Sequence, residues 1–342
     1  EAMLRLDLAK VRELLSAPIP GATREAADAY VARKLLEARI DPPRPDIRPS
    51  VEAVMHAAIP YKFVMHTHPE LAAALTSAAG GRAAAERLGL PPFLWIEYRD
   101  PGLPLARRVA REIAACRGGA PKLIFLAKHG LIAAADSIAE IKGLTRRVFD
   151  AVRRELARPA RRRSMAAAFG RPIARPRPPG NWETWESLIV PTVRGALADR
   201  RQVIFACRNK LLDRALAGEA ARSALAIGPL YPDLVVYCGA RPLVAELPWT
   251  RGAAGVHAAL RERIARFRAA RGADPQVVLI PGFGLICVGR TAEYAETVRE
   301  LFLQALRVVE YAAAFGGARV MTKREYGYIA RWSMEAYRRK LM

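Results

Sequence analysis

The chain has 342 residues, 52% of them hydrophobic, and a formal net charge of +22. That length suffices for two ordinary domains or one large one with packed cores, and no uncharged apolar run reaches the ~18 residues of a membrane span. The charge raises nucleic acid or a membrane surface as partners, but the arginines are scattered and no aromatic-and-basic face or nucleic-acid motif accompanies them, so neither is expected.

Glu1 is not an initiator methionine, and the natural start is expected upstream. The opening residues lack the short basic region and apolar stretch of a signal peptide, which points to a cytoplasmic protein. Cys116, Cys207, Cys238 and Cys287 are far apart, without a Cys-x-x-Cys pair, and read as reduced thiols.

Leu8, Val11, Leu14 and Leu15, then Ala29, Ala32, Leu35 and Leu36, have helical spacing. Pro42, Pro43, Pro45 and Pro49 force an extended connection before a short helix starting near Ser50 as N-cap. Phe63-Val64-Met65 is a strand whose end carries His66 and His68, and period two puts both imidazoles on one face. Pro69 and Glu70 open the next helix. Phe93 to Ile96 is a second strand, Asp100-Pro101-Gly102 a turn, and a helix runs on through Ala115. Leu123 to Ala127 is a third strand that brings His129 to a turn, Leu131 to Ala134 a fourth, and Ile138 to Leu156 a helix.

Residues 158 to 180 hold seven arginines, five prolines and no acid, the composition of a linker. Beyond it the plan recurs: Val278 to Val288 lies over Ile124 to Ala134 at a constant offset of 154. Leu234 to Tyr237 is a looser match to Phe63 to His66, which would put Tyr237 and Gly239 in the histidine positions, while Phe283 replaces His129. The expected organisation is a metal-binding lobe over 1–157, an Arg/Pro-rich linker over 158–181, and a degenerate, metal-free repeat over 182–342. The closing helix, Tyr326 to Leu341, carries Tyr328, Trp332 and Tyr337 as a docking face.

Three protein nitrogens and an open position suit a catalytic zinc, although iron, manganese or cobalt accept the same ligands. His66 and His68 would come from one strand end, and His129, beside Gly130, from a turn. His56 and His257 are taken as core histidines. Glu52, fourteen residues before His66, could act beside the metal as a ligand or proton-transfer base, or could simply favour the helix dipole in a first turn. Ser50 could be an N-cap or an anion contact.

Ser50-x-Glu52, His66-x-His68-Pro69 and Lys128-His129-Gly130-Leu131 resemble, in order, the metal-site motifs of the class II aldolase/adducin family. Gly228-Pro229-Leu230-Tyr231-Pro232-Asp233, Pro281 to Leu285 and Tyr328 to Glu335 are similar to the long variety found as the aldolase part of rhamnulose-1-phosphate aldolase/alcohol dehydrogenase fusions. The resemblance implies an α/β fold of αβα type with a mainly antiparallel central sheet. It implies zinc held by His66, His68 and His129, and Glu52 as acid/base group. The implied reaction is cleavage of a ketose 1-phosphate to dihydroxyacetone phosphate and an aldehyde, with a metal-stabilised enediolate.

Family members usually carry, before the first helices, strands with glycine, asparagine, serine or threonine groups that hold the substrate phosphate, and these are expected upstream of Glu1. The sequence has no Gly-x-Gly-x-x-Gly fingerprint and offers no clear proton-donor tyrosine, with Tyr98 read as support for its loop. Epimerisation or dehydration of a sugar phosphate would use the same site, and an adducin-like binding protein would keep the fold without catalysis. A small-molecule sugar phosphate is the expected partner. Short relatives assemble as tetramers, and an internal repeat would replace one interface, so a homodimer is expected.

Overall fold

A computed structural model describes residues 4–20, 23–42, 47–174, 176–199, 201–219 and 228–332. The first half places α1 (Leu8–Glu13), α2 (Arg24–Glu37) and α3 (Ala53–Ala57) before β1 (Phe63–Thr67), followed by α4 (Glu70–Thr76), α5 (Gly81–Arg87) and β2 (Phe93–Ile96). It continues through α6 (Leu103–Ala114), β3 (Leu123–Leu126), β4 (Gly130–Ala135) and α7 (Ile138–Leu156). The sheet order is β1-β4-β3-β2, with β1·β4 and β3·β4 antiparallel and β2·β3 parallel.

Every residue of β3 and β4 is buried, which is why these segments read as continuous apolar runs and not as alternation. Ile124, Leu126, Ile132 and Ala134 face Val11, Val54 and Val109 of α1, α3 and α6. Leu123, Phe125, Leu131 and Ala133 face Leu71, Ala85 and Val148 of α4, α5 and α7. Helices therefore cover both faces of the sheet.

The second half repeats this arrangement. After α8 (Pro159–Ala166) come α9 (Trp182–Ala196), β5 (Val203–Cys207), α10 (Lys210–Ala217), α11 (Pro232–Tyr237) and β6 (Leu243–Val244). Then follow α12 (Gly252–Arg271), β7 (Val277–Ile280), β8 (Gly284–Gly289), α13 (Ala292–Ala313) and α14 (Lys323–Arg331). The order β5-β8-β7-β6 and its two antiparallel and one parallel pairings reproduce the first sheet. Even a helix cap recurs: Ser137 accepts the Glu140 N–H at the start of α7, and Thr291 accepts the Tyr294 N–H at the start of α13.

Several expectations need correction. Leu234 to Tyr237 is helical, because Pro232 sits at the first turn and the apolar run faces the core from α11. The counterpart of β1 is β5, since His66 pairs with Ile132 and Ala206 with the corresponding Ile286, so Ala206 and Arg208 occupy the positions of His66 and His68. The short α3 also starts later than expected. Glu52 is its N-cap residue, and Ser50 closes the preceding turn, its Oγ accepting the Glu52 N–H at 3.2 Å.

Within 158–181, expected as a linker, α8 is helical and packs on α7 and α13, and Phe169 is buried. Of the expected closing helix, 323–331 is helical and 333–342, including Tyr337, lies outside the described residues. Tyr328 and Trp332 do form a docking face, with the Arg24 guanidinium 3.6 Å from the Tyr328 ring centre and the Tyr328 hydroxyl donating to Pro101 O.

The halves are joined by backbone as well as side chains. Ala79 N–H donates to Gly317 O, Gly80 N–H to Phe315 O and Arg319 N–H to Ser77 O, while α4 packs along α13. No described helix is long and apolar enough to cross a membrane.

Candidate metal centre

His66 lies on β1 opposite Ile132, and His68 follows just past the strand end, so both imidazoles project from the same face. His129 sits in the turn between β3 and β4, its N–H donating to Leu126 O at 3.0 Å. The preceding residue, Lys128, has φ +53, a left-handed conformation that costs a non-glycine residue about 1–2 kcal/mol. Its N–H donates to Thr76 O and its Nζ to Glu325 Oε2, at 2.7 and 2.8 Å.

The three imidazoles converge. Nε2 of His66 is 3.0 Å from Nε2 of His68 and 3.4 Å from Nε2 of His129. Gly130 makes the convergence possible: a Cβ there would lie 2.5 Å from His68 Cδ2, 2.6 Å from Thr67 O and 3.0 Å from His66 Cε1. Nδ1 of His66 faces Leu131 O at 3.2 Å, and Nδ1 of His68 faces an Asp233 carboxylate oxygen at 2.5 Å. Both partners accept, so each Nδ1 carries a proton and each Nε2 turns a lone pair to the common centre. Lone pairs facing each other at such distances repel unless a cation lies between them. Two nitrogens on a tetrahedral zinc, each about 2.0–2.1 Å from it, are about 3.3 Å apart, so the spacing fits a divalent ion.

Glu52 completes the cluster, with Oε1 3.6 Å from both His66 Nε2 and His129 Nε2. Burial opposes ionisation of Glu52, but the imidazoles of His129, His66 and His68 around it prevail and hold its carboxyl well below the usual range. Burial, reinforced by His129, pushes His66 down to about 3, and burial lowers His129 as well. Burial thus favours the neutral form of His66 and His129 beside the Glu52 carboxylate, the form in which an imidazole binds a metal.

Glu52 and exposed Ser50 line an open cleft of about 740 Å³ with Arg12, Arg48 and Lys62, a net basic surround. His56, expected in the core, also lines this cleft; its ring centre is 6.4 Å from that of His66. His257 is remote and bonded to Thr192, its Nδ1 2.8 Å from Oγ1. Tyr98 stands 5.8 Å from Lys128 Nζ, measured from its ring centre. Burial and then Asp100 push its hydroxyl well above the ordinary range.

Sequence reading missed the second half's contribution. Asp233 reaches His68, Gln304 Nε2 donates to His68 O at 2.8 Å, and Glu325 holds Lys128 beside His129. The Gly228 to Asp233 motif was the one visible signal, but nothing in it points to a histidine 165 residues away. At the corresponding place in the second half, Phe283 stacks on Trp182 with ring centres 5.3 Å apart, beside Ala206 and Arg208. None of these residues is a good metal ligand.

Residues 24–155 match the class II aldolase and adducin N-terminal domain, and residues 268–340 match the class II aldolase second domain. A protein of Bacillus subtilis (strain 168), named uncharacterized oxidoreductase YuxG, is 26% identical over 308 residues, covering 85% of this chain. This chain spans 44% of the length of that protein. A solved N-terminal class II aldolase domain of a conserved protein from Thermoplasma acidophilum is 28% identical, with a TM-score of 0.35 over 44% of this chain and 63% of that one.

Proposed function

The chain belongs to the class II aldolase and adducin family, and from that premise we propose that it is a zinc-dependent aldolase acting on a ketose 1-phosphate, with dihydroxyacetone phosphate and an aldehyde as products. The observation that carries this reading is the convergence of His66, His68 and His129, within 4.8 Å of one another, beside the Glu52 carboxylate. The three histidines would hold the metal. When bound, it would supply positive charge to stabilise the enediolate left by carbon–carbon cleavage.

The other roles fall to side chains. Glu52, kept ionised, accepts a proton from a substrate hydroxyl and returns it to carbon. Ser50, Arg12, Arg48 and Lys62 around the cleft favour an anionic substrate such as a sugar phosphate. The oxidoreductase name belongs to the Bacillus relative, more than half of whose length has no counterpart here. A homodimer is the proposed assembly, since contacts between the two halves stand in for one subunit interface of a shorter relative.

Metal analysis of the purified protein is expected to give about one divalent ion per chain, lost in His129→Ala. Incubation with a panel of ketose 1-phosphates should release dihydroxyacetone phosphate. Equal metal content in His129→Ala would sink the ligand assignment, whereas an epimer as the sole product would keep the site and replace the reaction.

A further inference from the structure

The second half carries no histidine cluster of its own, yet it reaches into the first at the metal centre. Asp233 belongs to the first turn of α11, whose Pro232 occupies the position where a missing N–H does no harm. Leu234, Val235 and Val236 are buried, so the helix is seated by its apolar face and its carboxylate has little freedom to move. The Asp233 and His68 side chains retain 13% and 17% of their exposure, and the contact between them is 2.5 Å. On the far side of the same residue, Gln304 of α13 donates to the His68 carbonyl. His68 is thus gripped at ring and backbone by two helices of the other half.

We infer that Asp233 is a positioning residue for metal capture, holding the His68 proton on Nδ1 and the ring turned so that Nε2 faces the cluster. This rests on the metal reading above and deepens it. His68 lies beyond the end of β1, where no strand pairing fixes its backbone, so its ring needs an outside partner more than that of His66 does. A carboxylate accepting from Nδ1–H also makes Nε2 a stronger donor to a metal. The second half then has a task at the site that its own lack of ligands does not remove.

The test is a Co²⁺ titration followed by the visible absorption of the bound ion, with chelator competition to give Kd. The proteins are the wild type, Asp233→Asn, Asp233→Ala and Arg307→Gln. Arg307 binds Glu70 across the same seam at 2.5 Å without touching a histidine. Asp233→Ala is expected to weaken Co²⁺ binding about 10–100-fold and to shift the absorption bands. Asp233→Asn, which keeps an accepting oxygen of the same size and guards against misfolding, should fall between it and the wild type. Arg307→Gln should bind like the wild type.

A wild type that takes up no Co²⁺ overturns the metal reading and this inference together. Wild-type affinity and spectrum in Asp233→Ala overturn this inference alone, as does an equal loss in Arg307→Gln, which would make the effect a general loosening of the seam.

Discussion

Glu325 of α14 accepts a hydrogen bond from Lys128 Nζ at 2.8 Å, with 12% and 8% of the two side chains exposed, and so ties the turn carrying His129 to the far end of the chain. The same Oε2 accepts the Thr322 N–H at 2.6 Å in a capping box, so one carboxylate serves the helix start and the turn carrying His129. Glu325→Ala would leave a buried ammonium without its partner. The expected loss is about 3 kcal/mol, measured by denaturant unfolding.

The same pair sets a pH dependence. Burial works against the charged form of Glu325, but Lys128 and the Thr322 N–H prevail and hold its carboxyl below the ordinary value of 4.5. A carboxyl depressed in the folded state stabilises it fully above that ordinary value, and the contribution fades as the pH falls through the depressed one. Thermal melts of the wild type should therefore drop below about pH 4.5, and Glu325→Gln should flatten that part of the curve. An unchanged acid limb in the variant would show that the pair contributes nothing there.

Gly130→Ala tests the crowding at the cluster. A methyl group 2.5 Å from His68 Cδ2 and 2.6 Å from the Thr67 carbonyl cannot be accommodated unless the imidazoles and the backbone at Thr67 shift. Metal affinity should fall while the circular dichroism spectrum stays native. Gly143, inside α7 with open space around it, provides the contrast. Gly143→Ala should raise stability by about 0.5–1 kcal/mol and leave the metal content alone.

Much of this architecture was legible because the strands are apolar runs bounded by turn residues, and because β3-turn-β4 and β7-turn-β8 share a pattern at constant spacing. His66, His68 and His129 could be grouped by their places at strand ends. The failure at Leu234 to Tyr237 has a physical cause: four apolar residues fit a buried strand or one turn of helix equally, and periodicity does not separate them. The true counterpart of β1, Val203–Cys207, was hidden because its resemblance lies in pairing and not in residue identity. Asp233, Gln304 and Glu325 were beyond reach for another reason, since tertiary packing alone brings them to the site.

Thiol chemistry should divide the cysteines in two. Cys238 and Cys287 are buried and their thiols are pushed up, first by burial and then by a neighbouring cysteine. Cys116 and Cys207 are only partly buried. Iodoacetamide on the native protein should modify the latter pair and spare the former, which become reactive on unfolding. Mass mapping that finds native Cys238 or Cys287 alkylated would contradict the packing around α11 and β8.

Phe283 tests whether the second half could still bind metal. It is fully buried at the place of His129 and stacks on Trp182, whose Nε1–H donates to the Phe283 carbonyl at 3.1 Å. The preceding residue is Gly282 with φ +85, where the first half keeps Lys128 in the same left-handed region. With glycine there the turn needs no side-chain anchor, and no ion pair like Lys128–Glu325 is required to hold it. Phe283→Ala should cost about 3–5 kcal/mol of stability through the cavity left under Trp182. Metal per chain should not change, because Ala206 and Arg208 supply no lone pair where His66 and His68 do. A drop in metal content at unchanged occupancy of the fold would mean that the second half contributes a ligand after all.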